Sequence, residues 1–181
     1  MVMATALHEV PALLKLELGC GKKVKDGFEG VDVIDYGQKH VLDLRQPWPW
    51  ADESVGEVNS EHFVEHLDGM ERVFFFNELY RVMAPKATAL ILTPNWSHAC
   101  AYGDPTHKWP PMSAWYPLYL HKPWREINAP HTGYTCDFDW ALAGSWDQRH
   151  EIRNQEFKVF AMQNYVDSLR DLIVTLTKRA L

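Results

Sequence analysis

The sequence predicts an α/β protein with a nucleotide-binding sheet edge, and three observations carry that reading. An apolar strand over residues 14 to 18 runs straight into Gly19-Cys20-Gly21, and a second short run, residues 28 to 33, delivers the acid Asp32. Further on, a helix-periodic segment over residues 70 to 83 is followed by a nearly unbroken apolar run over residues 87 to 93. Two glycines at the carboxyl end of a strand let the backbone turn sharply and approach a ligand closely. An acid at the tip of the next strand can accept hydrogen bonds from both hydroxyls of a ribose. Glu17 adds a carboxylate two residues before the first glycine, where a cationic amine could be recognised.

Only ten residues separate Gly21 from Asp32, whereas a parallel crossover takes a dozen or more. The link is therefore expected to be a loop or a single turn, which Lys22, Lys23, Lys25 and Asp26-Gly27 suit. This weakens a dinucleotide reading, because such a cradle wants G-x-G-x-x-G opening a helix. Val24 stands where the third glycine would be.

Residues 40 to 43 read as a short third strand ending in Asp43. Residues 46 to 54 contain two prolines and so cannot be regular structure; they read as a surface loop leading into a fourth strand over residues 56 to 60. At its end stands Asn59-Ser60-Glu61-His62, at the sheet edge where open α/β sheets bind ligands. His62-Phe63-Val64-Glu65-His66 also matches H-x-x-E-H, a zinc-peptidase pattern with two histidines one helical turn apart. That reading needs a long helix and a further ligand, and Leu67-Asp68-Gly69 breaks the chain at once. A zinc hydrolase using His62, Glu65 and His66 is kept as an alternative.

Within residues 70 to 83, Val73, Phe76, Tyr80 and Met83 recur at helical spacing, and Phe75, Leu79 and Val82 widen the apolar face. Glu71, Arg72, Asn77, Glu78 and Arg81 are placed on the wet side, and Pro85 ends the helix. Residues 87 to 93 suit a strand buried on both faces. Residues 96 to 131 form a long insert holding His98, His107, His121 and His131. A metal shared by His98, Cys100, His107 and Cys136 has no recognised spacing behind it. Residues 134 to 146 read as a strand and residues 147 to 166 as a helix with Ile152, Phe157, Phe160, Ala161 and Val166 inward. Residues 172 to 177 read as a final strand.

At 181 residues and 46% apolar content, the chain supports one domain with a proper core. The net charge of −6 disfavours a protein that works by neutralising phosphates, so long nucleic acid is not the expected partner. No apolar run reaches the roughly 20 residues that span a bilayer, and residues 1 to 12 lack the pattern of a signal peptide. Cys20, Cys100 and Cys136 form an odd set without C-x-x-C spacing, which points to a reducing, cytoplasmic compartment. Six of the eight tryptophans fall between residues 96 and 146, so a dense aromatic layer filling core and covering strands is expected there, with one or two lining a substrate cleft.

Glu17-Leu18-Gly19-Cys20-Gly21 followed by Gly30-Val31-Asp32 resembles the first two motifs of class I S-adenosylmethionine-dependent methyltransferases. Leu42-Asp43-Leu44, the stretch from Asn59 to His66 and the stretch from Glu78 to Pro85 look like later motifs of the group called type 11, in the family's order. The resemblance covers roughly residues 14 to 95. It departs from the family in lacking a third glycine and a full helix before the ribose-binding acid.

The resemblance implies a Rossmann-like three-layer sandwich, with a mostly parallel seven-stranded sheet closed by a C-terminal antiparallel hairpin. It implies S-adenosyl-L-methionine as cofactor. Glu17, Gly19, Cys20 and Gly21 would hold the methionine end, and Asp32 with Val33 the ribose. Asp43 and Leu44 would meet the adenine, with Ser60, Glu61 and His62 as the floor beneath the methyl group. Residues 96 to 131 would then be a substrate lid, with His107 and Asp104 as acid or base toward the acceptor. The acceptor expected is a small molecule, although lipid precursors, protein side chains and single nucleotides remain open. A catalytically inert binding or regulatory subunit on the same fold is the other alternative.

Overall fold

A computed structural model of the chain describes residues 12 to 180. The expectation about a signal peptide falls on residues outside that range. In chain order the elements are β1 (Leu14–Leu18), β2 (Glu29–Asp32), β3 (His40–Val41), β4 (Val55–Glu61), a 3-10 turn (Val64–His66), α1 (Gly69–Val82) and β5 (Met83–Pro94). There follow α2 (Cys100–Gly103), α3 (Tyr116–Leu120), α4 (Lys122–Asn128), β6 (Phe138–Trp146), α5 (Gln148–Glu151), α6 (Gln155–Asn164) and β7 (Leu169–Lys178).

The strands form one seven-stranded sheet in the order β3-β2-β1-β4-β5-β7-β6. The first five are parallel, and β7 runs antiparallel to both β5 and β6. This is the Rossmann-like sheet with a C-terminal antiparallel hairpin that the sequence led us to expect. Order reverses between β1 and β4, which places a crevice at their carboxyl ends.

Strand alternation decides which side chains reach that crevice and which do not. In β1, Leu14, Leu16 and Leu18 share one face, and Lys15 and Glu17 the other. Register carries the division outward: Leu16 pairs with Val58, which pairs with Ala89, while Glu17 pairs with Asn59 and Lys15 with Glu57. One face is thus apolar and core-forming, and the other is polar, with a Lys15–Glu57 ion pair at 2.7 Å. Among the described residues no helix joins β1 to β2, β2 to β3 or β3 to β4, in keeping with a face that carries few groups for a helix to bury.

α1 begins at a reciprocal cap. Asp68 accepts from the N–H groups of Met70 and Glu71, and the Glu71 carboxylate accepts from Asp68 N–H. Its Phe75, Phe76, Leu79 and Val82 are fully buried, each contributing roughly 1.5–3 kcal/mol through the apolar surface removed from water. Arg72, placed by periodicity on the wet side, is buried instead. Its guanidinium donates to the carbonyls of Val64, Lys108 and Pro110, and periodicity cannot register a cation two of whose three partners lie almost forty positions away.

Two further expectations need correction. The buried tryptophans are Trp48 and Trp50, in the loop read as surface, where Trp48 packs edge-on against Trp50 and Phe75. The later Trp96, Trp109 and Trp115 are exposed. Residues 147 to 166 form two short helices rather than one, and Ile152 and Val166 are 90% and 74% exposed, with Phe160 also exposed. Only Ala161 of the expected inward set is buried, and Met162, not in that set, is the other residue of this helix packed against the core.

Candidate active site

A cleft of about 480 Å³ opens at the carboxyl ends of β1, β2 and β4, within the range of small-molecule sites. Gly19 and Gly21 form its floor, both in the left-handed region at φ 70 and 55. A Cβ on Gly19 would stand 2.4 Å from the Phe63 ring, so this position is closed to larger residues. Gly21 has nothing within 4 Å of the same point, so its backbone faces open cleft.

The Gly21 N–H donates to Asp32 Oδ2 at 2.9 Å, and the Ile34 N–H donates to Oδ1 at 2.9 Å. Each carboxylate oxygen keeps lone-pair capacity for a further donor. Beside Asp32, Val33 and Ile34 are more than half exposed and line the cleft with Tyr36 and Leu42. An apolar wall left bare next to a fixed carboxylate suits a ligand with a flat ring joined to a polyol. Ile34, Tyr36, Leu42 and Phe63 were not identified from sequence; exposed apolar residues immediately after a strand-end acid were the available signal.

Of the sequence-nominated cofactor residues, the cleft brings together Gly19, Gly21, Asp32, Val33, Asp43, Leu44 and His62. Glu17, Cys20, Ser60 and Glu61 are not among its lining. Glu17 lies on the polar sheet face, where its carboxylate accepts from the Lys25 N–H and, at 3.2 Å, from Asn59 Nδ2. It thereby pins the loop that replaces the missing helix. Ser60 Oγ donates to the Leu18 carbonyl at 3.0 Å, tying β4 to β1, and Glu61 accepts from Asn59 at 3.2 Å. Burial, then the nearby Asp32 and Glu17 carboxylates, push the Cys20 thiol pKa up. Asp43 is engaged by Arg45 through Nε at 2.9 Å and Nη2 at 2.8 Å, which holds its carboxyl below the usual range.

A second groove, about 290 Å³, adjoins the cleft through His62 and His66, which line both. Glu65, Asp104, His107 and Asp171 also line it. The first half of the insert is fastened here: Arg72 holds the carbonyls of Lys108 and Pro110, and the Lys108 N–H donates to the Glu65 carbonyl at 2.8 Å. Asp104 accepts from both the N–H and the hydroxyl of Thr106, at 2.8 and 2.6 Å, and its carboxyl is held low by those bonds. His107 Nδ1 sits 3.1 Å from the Ala101 carbonyl, which can only accept, so Nδ1 carries the proton and Nε2 the lone pair. The Glu65 carboxylate beside His62 raises the imidazole pKa.

The H-x-x-E-H segment is not a helix with two aligned histidines. Val64–His66 is a single 3-10 turn, and His62 precedes it at φ 53. His98, Cys100, His107 and Cys136 do not converge either: Cys136 is buried, with Sγ 3.9 Å from the Leu120 carbonyl, and His98 faces Asp167 at 3.9 Å. A wider hollow of about 630 Å³ near the amino end of β5 is lined by Asp52, Glu53, Glu78, Arg81 and Lys178. Its charged side chains are paired with one another.

No family model matches the sequence, and no curated protein matches it. Solved structures do match by shape. A SAM-dependent methyltransferase from Archaeoglobus fulgidus is 20% identical with a TM-score of 0.65, over 92% of this chain and 86% of its own. One from Methanosarcina mazei is 12% identical with a TM-score of 0.54, over 93% of each chain. A geranyl diphosphate C-methyltransferase from Streptomyces coelicolor, solved with S-adenosyl-L-homocysteine, is 14% identical with a TM-score of 0.50, over 92% of this chain and 71% of its own. At these identities the likeness shows the fold: the chain has the class I S-adenosylmethionine-dependent methyltransferase fold.

Proposed function

We propose that this chain binds S-adenosyl-L-methionine in the cleft and transfers its methyl group to a small-molecule acceptor in the adjoining groove. The observation that carries this reading is the Asp32 carboxylate, fixed by two backbone N–H groups at the tip of β2 and facing an apolar wall at the sheet's reversal point. The structural neighbours support it, since they share the fold and bear methyltransferase names.

The residues present fit the cofactor. Asp32 would accept from the ribose hydroxyls, the exposed backbone of Gly21 would let the chain approach the methionine end, and Val33, Ile34, Leu42 and Leu44 would give the adenine an apolar seat. When bound, S-adenosylmethionine supplies a methyl carbon already activated by a sulfonium. The chain's own work is to orient two ligands and to exclude water between them. His62 and His66 border both spaces and so mark where they meet. On the acceptor side, His107 has a free lone pair at Nε2, whereas Asp104 has one of its two oxygens, Oδ1, taken up by Thr106.

Calorimetric titration with S-adenosylhomocysteine tests the reading. Saturable binding that is lost in Asp32→Ala supports it. Binding of unchanged strength in Asp32→Ala, or no heat at millimolar ligand, removes the cofactor site and leaves an inert scaffold of the same fold.

A further inference from the structure

We infer that Glu65, His66 and His107 form a binding site for one divalent first-row transition-metal cation where the cleft meets the groove. One donor atom from each lies within 4.8 Å of the other two. Donors on a tetrahedral cation with bonds of about 2.1 Å stand roughly 3.4 Å apart, so closing the site takes side-chain movement on the order of 1 Å.

Hydrogen bonding leaves each of the three side chains with a lone pair to offer. The Thr106 hydroxyl spends its single proton on Asp104 Oδ1 at 2.6 Å, so at 2.9 Å from His66 Nδ1 it can only accept. His66 is therefore protonated at Nδ1 and bare at Nε2. His107 is set the same way by the Ala101 carbonyl. A metal-binding imidazole is oriented in this manner, its second N–H given to an oxygen behind it.

Glu65 supplies an independent observation. It is only 4% exposed, its Oε2 accepts from Thr93 Oγ1 at 3.1 Å, and its Oε1 has no hydrogen-bond partner. His62 Nδ1 lies 3.3 Å from it, an ion-pair contact whenever that imidazole is charged, but not in a hydrogen-bond direction. The nearby guanidiniums are committed elsewhere: Arg72 to three carbonyls and Arg170 beside Asp171 at 3.7 Å. A buried carboxylate oxygen without a donor is costly, and two bare imidazole nitrogens beside it add lone pairs, not protons. A cation satisfies all three at once. One carboxylate and two imidazoles suit Zn²⁺, Co²⁺, Mn²⁺ or Fe²⁺, and do not suit Mg²⁺ or Ca²⁺, which prefer all-oxygen shells.

The site stands on its own geometry and does not rest on the methyltransferase reading; a bound cation would take the His107 Nε2 lone pair that otherwise faces the acceptor groove. Full-length protein stripped with chelator is titrated with CoCl₂, reading visible absorption and heat. Expected are one equivalent of bound Co²⁺ with a d–d band, displacement by ZnCl₂ but not by excess MgCl₂, and affinity at least about tenfold weaker in His107→Ala and in Glu65→Gln. Glu65→Gln keeps an oxygen for Thr93, and His107 lies on a loop, so circular dichroism can verify that both variants fold. No saturable band, as when the three groups share a proton instead, overturns the site. So does wild-type affinity in folded His107→Ala. Cobalt bound as expected by protein that ignores S-adenosylhomocysteine would sink the cofactor reading and leave the cation site intact.

Discussion

Gly21 and Asp32 close a hydrogen bond of 2.9 Å between the tips of β1 and β2, across a link that contains no helix. A helix between these strands would set their spacing by packing; here the loop is held by point contacts. Gly19 and Cys20 donate to the Val31 carbonyl at 2.8 and 3.1 Å, and Glu17 accepts from Lys25 on the other side of the sheet. Asp32 thus both ties the cleft together and lines it.

Asp32→Asn and Asp32→Ala should weaken S-adenosylhomocysteine binding by about tenfold to a hundredfold, since a hydrogen bond to a charged group contributes roughly 1.5–3 kcal/mol. Asparagine keeps one acceptor oxygen and should lose less than alanine. Calorimetry on both variants checks the order; wild-type affinity in the alanine variant would remove the carboxylate from the site.

Gly19→Ala and Gly21→Ala separate stability from binding. Both residues have positive φ, which costs a non-glycine residue about 1–2 kcal/mol. Only at Gly19 does the added Cβ also strike the Phe63 ring, adding roughly 1–3 kcal/mol of overpacking. Urea denaturation should show Gly19→Ala as the less stable variant, and Phe63→Ala in the same chain should recover part of the loss. Gly21→Ala should instead lose cofactor affinity, because its methyl group enters the cleft. Equal stability of the two would contradict the close approach at Gly19.

The order of the sheet and the loops that line the cleft were legible because they are written in local patterns: strand alternation, the G-x-G turn, an acid at a strand end. The misread parts depend on distant partners. Trp48 looks like a loop residue between prolines, yet its indole donates to the Leu44 carbonyl at 3.0 Å and its N–H to Glu78 Oε2 at 2.9 Å, thirty positions away. Arg72 looks wet until three carbonyls from two other segments are counted. In the groove, His107 was visible as a candidate base. Its meeting with His66 and Glu65 was not, because the fastening runs through Arg72 and Lys108 and has no sequence period.

Glu78 should make the protein acid-sensitive. Hydrogen bonding from Arg81 is the main cause that lowers its carboxyl pKa below the ordinary 4.5, and the Trp48 N–H adds to it. A carboxyl depressed in the native state contributes stability that is full above its unfolded value and is lost as pH falls through the native one. Urea midpoints should therefore drop below pH 4.5, and Glu78→Gln should be less stable at neutral pH with a shallower acid slope. An unaltered slope in the variant would assign the acid transition to other carboxylates.

Arg72 should govern how firmly the insert is held against the active site. Its guanidinium is buried, desolvation lowers its pKa, and it fastens Val64 of the 3-10 turn to Lys108 and Pro110 in the insert. Arg72→Leu keeps apolar bulk but leaves those carbonyls without a donor, at about 1–3 kcal/mol for each that stays buried. The chain can avoid that cost by letting residues 104 to 111 swing into water, which would carry His107 away from His66 and Glu65 although none of the three is altered. Hydrogen exchange should then rise by about tenfold or more in peptides spanning residues 104 to 111, including the Lys108 N–H, with β1 and β4 protected as before. Uniformly faster exchange across the sheet would mean that Arg72 supports the whole fold and is not a local fastening; unchanged exchange would mean that the insert is held by its other contacts.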